Sequence, residues 1–191
     1  MNFTEVLNSR RSIRRFKQDK IEDVVLLSLI DAATKAPSAG NTQPLRYFII
    51  REKELLAQIF AQTAWGGHVR PARDPQLGVT SPTAFIAVCT QNQGESASGS
   101  ADAGAAIQNI LLAATDLGLG SCWIGAFNKA KVNELLKLDK LTALYLVALG
   151  YPAEAPVMER INKGDSTKYT LDENDVIHVP KYAPGDVAKF L

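Results

Sequence analysis

The chain contains few of the residues that build disulfide frameworks or metal centres. Its 191 residues include two cysteines, Cys89 and Cys122, and two histidines, His68 and His178. Cys89 ends the apolar run 84–89, which is typical of a buried small hydrophobic residue. Two cysteines are too few for a disulfide-rich fold. The two histidines lie far apart in the chain, so the sequence does not favour a metal site.

Long apolar runs and a charge imbalance are also absent. No uninterrupted apolar stretch reaches the roughly 18 residues that a membrane-spanning helix needs. Residues 1–15 lack the apolar core of a signal peptide, so we expect a cytoplasmic protein. The formal net charge of +1 gives no electrostatic reason to expect nucleic acid or an anionic membrane as partner. The length is normal for a single domain, residues 1–191.

Hydrophobic periodicity predicts helices and strands that alternate only in part. The predicted helices cover residues 3–9, 22–35, 53–62, 101–117 and 129–136, and the predicted strands cover 47–50, 83–90, 121–126, 144–149 and 176–179. In the second helix Val24, Leu27, Ile30 and Ala33 are expected on one face. Stretches 63–82 and 91–101 are expected to be loops because of their composition. This order favours an α+β fold with one mixed sheet over a doubly wound sheet.

The predicted helix after residue 101 is unusually apolar. In the stretch 104–114, Gln108 and Asn109 are the only long polar residues. Such a helix is buried on most faces, either in the core or against a partner subunit.

Three segments carry candidate binding chemistry. In the first, Arg10–Lys17, five of the eight residues are cationic. Arginine forks beside a serine hydroxyl suit a phosphate group. The alternative is a solvated basic helix end.

The second segment, Ala36–Pro44, presents Ser38, Asn41 and Gln43 between two prolines. These short donors and acceptors could bind the edge of a planar heterocycle. The alternative is a capped turn between a helix and a strand.

The third segment, Gly118–Gly125, matches neither common glycine-rich nucleotide motif. Trp123 stands where the dinucleotide fingerprint needs its third glycine, and Ala126 and Phe127 stand where a P-loop needs Lys and Ser/Thr. The remaining interpretations are a glycine-flanked strand that lies close to a flat ligand, or a buried strand with tight turns. No Gly-x-Ser-x-Gly elbow occurs. We expect no catalytic side chain, because a site poor in acid–base residues points to a cofactor that carries the chemistry.

Taken in order, these segments resemble the nitroreductase-like FMN-dependent flavoprotein family. Its Arg-Arg-Ser-x-Arg-x-Phe opening is matched by Arg10–Phe16, and its Pro-Ser-x-x-Asn-x-Gln-Pro segment by Pro37–Pro44. The sequence Asp102-x-Gly-x-Ala-x-Gln-Asn-x-Leu-Leu and the following Gly-Leu-Gly-x-x-Trp-x-Gly are also similar to family motifs. So are Val147–Glu154 and the tail Val179-Pro-Lys181, so the likeness spans essentially the whole chain.

The resemblance implies a mixed sheet flanked by helices in a domain-exchanged homodimer, with two FMN sites at the interface. Arg14 would face the N1/O2 edge of the ring, where negative charge accumulates on reduction. The Gly125 amide would approach N5, and the second segment would reach the flavin from the other subunit. The implied FMN-binding residues are Arg10, Arg11, Ser12, Arg14, Pro37, Ser38, Ala39, Asn41, Gln43, Trp123, Ile124, Gly125 and Lys181.

One departure from the family pattern concerns the tail. Family tails often read Val-Pro-Lys-Arg, whereas this chain has Tyr182 after Lys181. Lys181 would then contact the phosphate as a point charge without a bidentate fork, unless Arg160 or Lys163 compensates.

The implied activity is a ping-pong transfer of hydride from NADH or NADPH through the flavin to an oxidised acceptor such as a nitroaromatic or a quinone. Trp65, His68 and Arg70 in the 63–82 loop are the candidate residues of the substrate pocket, although Trp65 is equally suited to a packing role. Two alternatives stay open. One is another reaction on the same scaffold: flavin fragmentation, dehalogenation or azoline oxidation. The other is a flavin-storage protein with little turnover.

Overall fold

The computed structural model describes residues 1–66, 74–91 and 97–191. The helices are α1 (Phe3–Ser9), α2 (Asp23–Thr34), α3 (Lys53–Phe60), α4 (Ala97–Asp116), α5 (Lys129–Leu135) and α6 (Pro184–Val187). The strands are β1 (Leu45–Ile50), β2 (Ala84–Gln91), β3 (Gly120–Ile124), β4 (Leu141–Gly150), β5 (Val157–Ile161), β6 (Thr170–Leu171) and β7 (Ile177–Tyr182). No helix in these ranges is long and apolar enough to cross a membrane.

The main sheet has the strand order β1-β2-β4-β3, and each of these pairings is antiparallel. Its two central strands are apolar on both faces because packed layers cover both sides. Along β2, Ile86 and Val88 face the layer of α2 and α4, while Phe85 and Ala87 face the layer of α3 and α5. The core therefore consists of two apolar clusters divided by this sheet.

Helix α4 is buried as its composition predicts. Ala103, Ile107 and Ile110 lie in the core, and the Asn109 side-chain amide donates to the carbonyl of Ala32 on α2, at 3.1 Å. The helix begins at Ala97, so the end of the predicted 91–101 loop is helical instead. The small residues of that stretch are compatible with a helix once the rest of α4 is packed.

The apolar residues of α2 divide between the core and the surface of the single chain. Leu26, Leu29 and Ala33 are buried, whereas Val24 is 73% exposed and Leu27 is 61% exposed. Four consecutive apolar residues, 24–27, follow Asp23 at the start of this helix, so periodicity fits more than one face. Packing against α4 selects the face that is buried.

The strands form two sheets where the sequence predicted one. The smaller sheet has the order β5-β7-β6, with β7 parallel to β5 and antiparallel to β6. Of these two sheets, the smaller one contains both parallel and antiparallel strand pairs. The predicted α+β class is confirmed, whereas β5, β6 and α6 were not predicted.

Candidate active site

The cationic segment Arg10–Lys17, here called the arginine segment, is extended and follows the end of α1 at Ser9. The Ile13 amide donates to the carbonyl of Ser121 on β3, at 2.9 Å. Ile13 and Phe16 are buried, while the arginines between and beside them stay partly exposed. The segment is therefore a strand-like edge of the fold and not a solvated helix end.

Two glycines allow this close approach. A Cβ at Gly120 would lie 2.8 Å from Ile13 Cγ2, and a Cβ at Gly150 would lie 2.8 Å from Phe16 Cδ1. Both distances are shorter than van der Waals contact, so the two apolar side chains occupy the space that a larger residue would need. Gly118, in contrast, has a φ of +75° and ends α4 in a left-handed turn.

The backbone of the arginine segment is held by Glu154. One carboxylate oxygen, Oε1, accepts the amide of Arg14 at 2.5 Å and that of Arg15 at 3.2 Å. The Arg14 guanidinium lies 5.7 Å from the centre of the Tyr169 ring. Within the described ranges, neither Arg10 nor Arg14 has a carboxylate at ion-pair distance. These two cations are therefore available to an anionic ligand.

Arg14 opens into a cleft of about 310 Å³, here called the arginine cleft. Its other described lining residues are Ala64, Trp65, Gly66, Cys122, Trp123, Ile124, Gly125, Ala126 and Tyr169. The Trp123 ring meets the ring of Tyr145 edge to face, with centroids 5.1 Å apart. Burial raises the pKa of the Cys122 thiol, so it stays protonated and is a poor nucleophile.

Trp65 is packed against its neighbours and also lines the arginine cleft. Its indole Nε1 donates to Thr63 Oγ1 at 2.7 Å, and its ring lies 6.0 Å from that of Phe60, so it is packed. It also lines the arginine cleft. His68 and Arg70 lie outside the described residues.

The segment Pro37–Pro44 has an unusual backbone. Gly40, Asn41 and Gln43 have φ values of +58°, +55° and +48°. Such angles are uncommon for residues with side chains and persist where the surroundings impose them. Here the Gln43 amide donates to Ser38 Oγ at 3.0 Å, and the Ala39 amide donates to Asp102 Oδ1 at 3.0 Å.

This segment borders a second cleft of about 210 Å³, here called the serine cleft. Pro37, Ser38 and Gln43 line it together with the buried Asp102. The two clefts share no described lining residue. Asp102 on α4 borders the serine cleft. Gly104, two residues later on the same helix, lies beside Trp123 of the arginine cleft. The first half of α4 therefore separates them.

Arg11 and Lys181 line neither of these two clefts. Arg11 borders a third cavity with Pro152 and Pro156, and burial lowers the pKa of its guanidinium. Its Nε is buried and has no hydrogen-bond partner among the described residues. Lys181 is exposed on β7, opposite Arg160 of β5. Within one chain, the structure thus brings Arg14 together with Trp65, Trp123, Ile124 and Gly125, and leaves the Ser38 group and Lys181 elsewhere.

Three residues of this region were not predicted to have a role. Asp102 holds the Ser38 segment, Glu154 holds the backbone of Arg14, and Tyr169 covers the Arg14 guanidinium. Two of them had a usable signal: Asp102 is an acid near the start of an apolar helix, and Glu154 closes a motif of the resemblance. Tyr169 had none.

Comparisons with known proteins agree on one family. The model of the Nitroreductase family matches residues 7–151. The chain is 32% identical over 163 residues to a protein of Methanothermobacter thermautotrophicus that is provisionally named an NADH dehydrogenase/NAD(P)H nitroreductase, covering 82% of this chain and 80% of that protein. It is 30% identical to the oxygen-insensitive NADPH nitroreductase of Salmonella typhimurium, covering 95% of this chain and 75% of that one.

Solved structures give the same result. A provisionally named nitroreductase from Desulfovibrio desulfuricans, solved in complex with FMN, is 30% identical with a TM-score of 0.68, covering 81% of this chain and 88% of that chain. A nitroreductase family protein from Clostridium novyi NT is 32% identical with a TM-score of 0.68, covering 80% of this chain and 86% of that chain. With the family model matched over most of its length, this chain belongs to the nitroreductase family.

Proposed function

We propose that this protein is an NAD(P)H-dependent oxidoreductase that holds FMN in the arginine cleft and reduces an oxidised acceptor, such as a nitroaromatic or a quinone. The observation that carries the proposal is the chemistry of the cleft lining. Among its described residues, Arg14 is the one permanently charged group, and Cys122 and Tyr169 are the other titratable groups. The described part of this lining offers an anion contact and flat apolar walls, and it contains no carboxylate or imidazole to act as acid or base.

The residues present fit a flavin. The Arg14 guanidinium, which has no described carboxylate at ion-pair distance, suits the edge of the ring that becomes negative on reduction, and Trp123, Ile124 and Gly125 offer a flat wall. Arg10 and Ser12 at the start of the arginine segment would hold the phosphate. When bound, FMN would supply the chemistry of hydride transfer between NADH or NADPH and the acceptor in a ping-pong cycle. The protein's part is to bind and orient the rings and to supply positive charge.

Relatives support this assignment. The Desulfovibrio desulfuricans protein was solved with FMN, the Salmonella typhimurium relative is named for NADPH, and a relative from Vibrio harveyi is named an NADPH-flavin oxidoreductase. We extend FMN and a nicotinamide donor to this chain on that basis.

We also propose that the complete site forms between two copies of the chain. Within one chain, the Ser38 segment lines a different cleft from Arg14, with no described lining residue in common. A second copy would supply it. Phe3, Val24 and Leu27 are exposed in the single chain, which is compatible with an apolar interface.

The test starts from the purified protein. We expect a flavin absorption spectrum, release of FMN and not FAD on denaturation, and rapid bleaching by NADH or NADPH. Turnover with nitroaromatic and quinone acceptors would then be compared with flavin fragmentation, dehalogenation and azoline oxidation. A colourless protein that fails to bind added FMN would contradict the proposal, and a flavoprotein that neither nicotinamide bleaches would indicate flavin storage.

A further inference from the structure

Among the described residues, Tyr169 is the one aromatic residue in cation–π contact with the charged group of the arginine cleft. Its ring centre lies 5.7 Å from Cζ of Arg14, within the range of a cation–π interaction. In the stretch 162–170, which is described in full, Tyr169 alone is half-buried and every other residue is exposed. The ring is therefore packed onto the cleft, while the chain on either side of it runs in solvent.

The small sheet brings Tyr169 to this position. Tyr169 immediately precedes β6, and Asp175 follows β6 before the chain enters β7. Asp175 Oδ2 lies 3.4 Å from the guanidinium of Arg15, next to Arg14. Two successive arginines are thus contacted from the same hairpin, one by a ring and one by a carboxylate.

The two contacts have different consequences for an anion site. A carboxylate on Arg14 would neutralise the charge that the cleft offers. An aromatic face attracts the guanidinium through its quadrupole and leaves the cation's positive charge in place. It also reduces the number of rotamers that a long side chain samples before a ligand arrives, so less conformational entropy is lost on binding.

We infer that Tyr169 is a positioning residue that holds the Arg14 guanidinium ready for the flavin. The inference rests on the proposed function, because it takes FMN as the ligand of the arginine cleft. Tyr169 also lines the cleft, and we assign its effect to Arg14 and not to a contact of its own with the cofactor. Loss of the ring should therefore change cofactor properties only while Arg14 is present.

The experiment is a double-mutant cycle on the flavin-free dimer titrated with FMN. Tyr169→Leu should weaken FMN affinity by about two- to fivefold and lower the flavin reduction potential, since a cation–π contact at a part-exposed site has roughly that strength. Tyr169→Phe, which keeps the ring, should retain both wild-type values. In an Arg14→Ala background, Tyr169→Leu should have no further effect on either property.

Tyr169→Trp is the second test of the ring's role. Tryptophan is the best aromatic partner of a cation, so affinity should be kept or increased, an outcome that misfolding would not produce. Equal affinity and potential in Tyr169→Leu and the wild type would overturn the inference. So would an undiminished effect of Tyr169→Leu in the Arg14→Ala background, or a change confined to the KM of the acceptor. If the wild type itself binds no FMN, the proposed function fails before the cycle begins.

Discussion

At the scale of single residues, Arg14 concentrates the charge of the candidate site. Charge-assisted hydrogen bonds contribute roughly 1.5–3 kcal/mol each, so Arg14→Ala should weaken FMN binding by about ten- to a hundredfold and lower the reduction potential. Titration of the flavin-free protein measures the first effect, and dye equilibration measures the second. Arg15→Ala is the matched control, because Arg15 pairs with Asp175 and does not line the cleft. Equal losses in both variants would remove Arg14 from its assigned role.

Gly120 controls how closely the arginine segment lies on β3. A Cβ there would lie 2.8 Å from Ile13 Cγ2, and overpacking of this kind destabilises proteins by about 1–3 kcal/mol. Gly120→Ala should therefore lower the free energy of unfolding by that amount in urea denaturation. Gly185→Ala is the control, because an added Cβ meets no atom within 4 Å. If both variants are equally stable, the close approach is not a packing constraint.

At the scale of elements, the sequence predicted best where packing and periodicity agree. Strand β2 was predicted within one residue at each end, because its apolar run 84–89 is buried throughout. Helix α1 was predicted with its exact bounds, although Val6 is buried and Phe3 and Leu7 are exposed in the single chain. Strands β5 and β6 were missed because β5 alternates weakly and β6 has two residues. Both exist through pairing with β7, a long-range interaction that local propensity does not contain.

The candidate site was predictable to a similar extent. The motifs located Arg14 and the Trp123–Gly125 strand end, and the structure brings both into one cleft. The separate position of Ser38 in one chain agrees with the predicted two-subunit site but does not test it. Tyr169 could not be predicted, since its role depends on how the small sheet docks on the arginine segment.

Asp102 joins α4 to the Ser38 segment. Asp102→Ala would remove the acceptor of the Ala39 amide in a part-buried hydrogen bond, and the net contribution of a typical hydrogen bond is about 0.5–1.5 kcal/mol. We expect lower thermal stability and weaker FMN binding. Asp102→Asn keeps an oxygen in place and should retain most of the stability. Thermal unfolding of the two variants decides this, and an alanine variant that unfolds with the wild type would show that the contact contributes little.

The small sheet contains a titratable cluster. His178 on β7 contacts Glu159 of β5 through Nδ1 and Asp172, just after β6, through Nε2 at 3.3 Å. Hydrogen bonds to Glu159 and then Asp172 raise the pKa of His178 above its ordinary 6.5, and hydrogen bonds led by that from the Val176 amide lower the pKa of Asp172 below 3.8.

These shifts set a pH window for the stabilisation. The histidine's contribution is complete below pH 6.5 and is lost as the pH rises through its raised value. The carboxylate's contribution is present above pH 3.8 and is lost as the pH falls through its lowered value. The difference in the free energy of unfolding between the wild type and His178→Gln should therefore be greatest between pH 3.8 and pH 6.5, and it should shrink as the pH rises further. An NMR titration that gives His178 a pKa at or below 6.5 would contradict this.

At the scale of the whole molecule, the tail has two parts that can be deleted separately: strand β7 and the residues 184–191 that follow it. Deletion of residues 176–191 removes β7, with which both β5 and β6 pair, so it dismantles the small sheet as well as any dimer contact. Deletion of 184–191 leaves every strand intact and removes Phe190 and Leu191, which are fully exposed in the single chain. We expect the shorter deletion to weaken dimerisation and FMN retention, with the longer one also losing Lys181.

Light scattering with flavin stoichiometry measures both properties. The full-length protein should be a dimer with two FMN, and each truncated protein should dissociate at higher concentration than the full-length chain. A full-length monomer that carries one tightly bound FMN would refute the shared site.

The placement of the two clefts on different sides of α4 has a consequence for handling the protein. A ligand that needs both chains binds only the dimer. Its apparent affinity therefore falls when the protein is diluted below the concentration at which the chains associate. Under the shared-site proposal, the yellow colour of bound flavin indicates the dimer. A dilute assay without added FMN would therefore show no activity even with correctly folded enzyme.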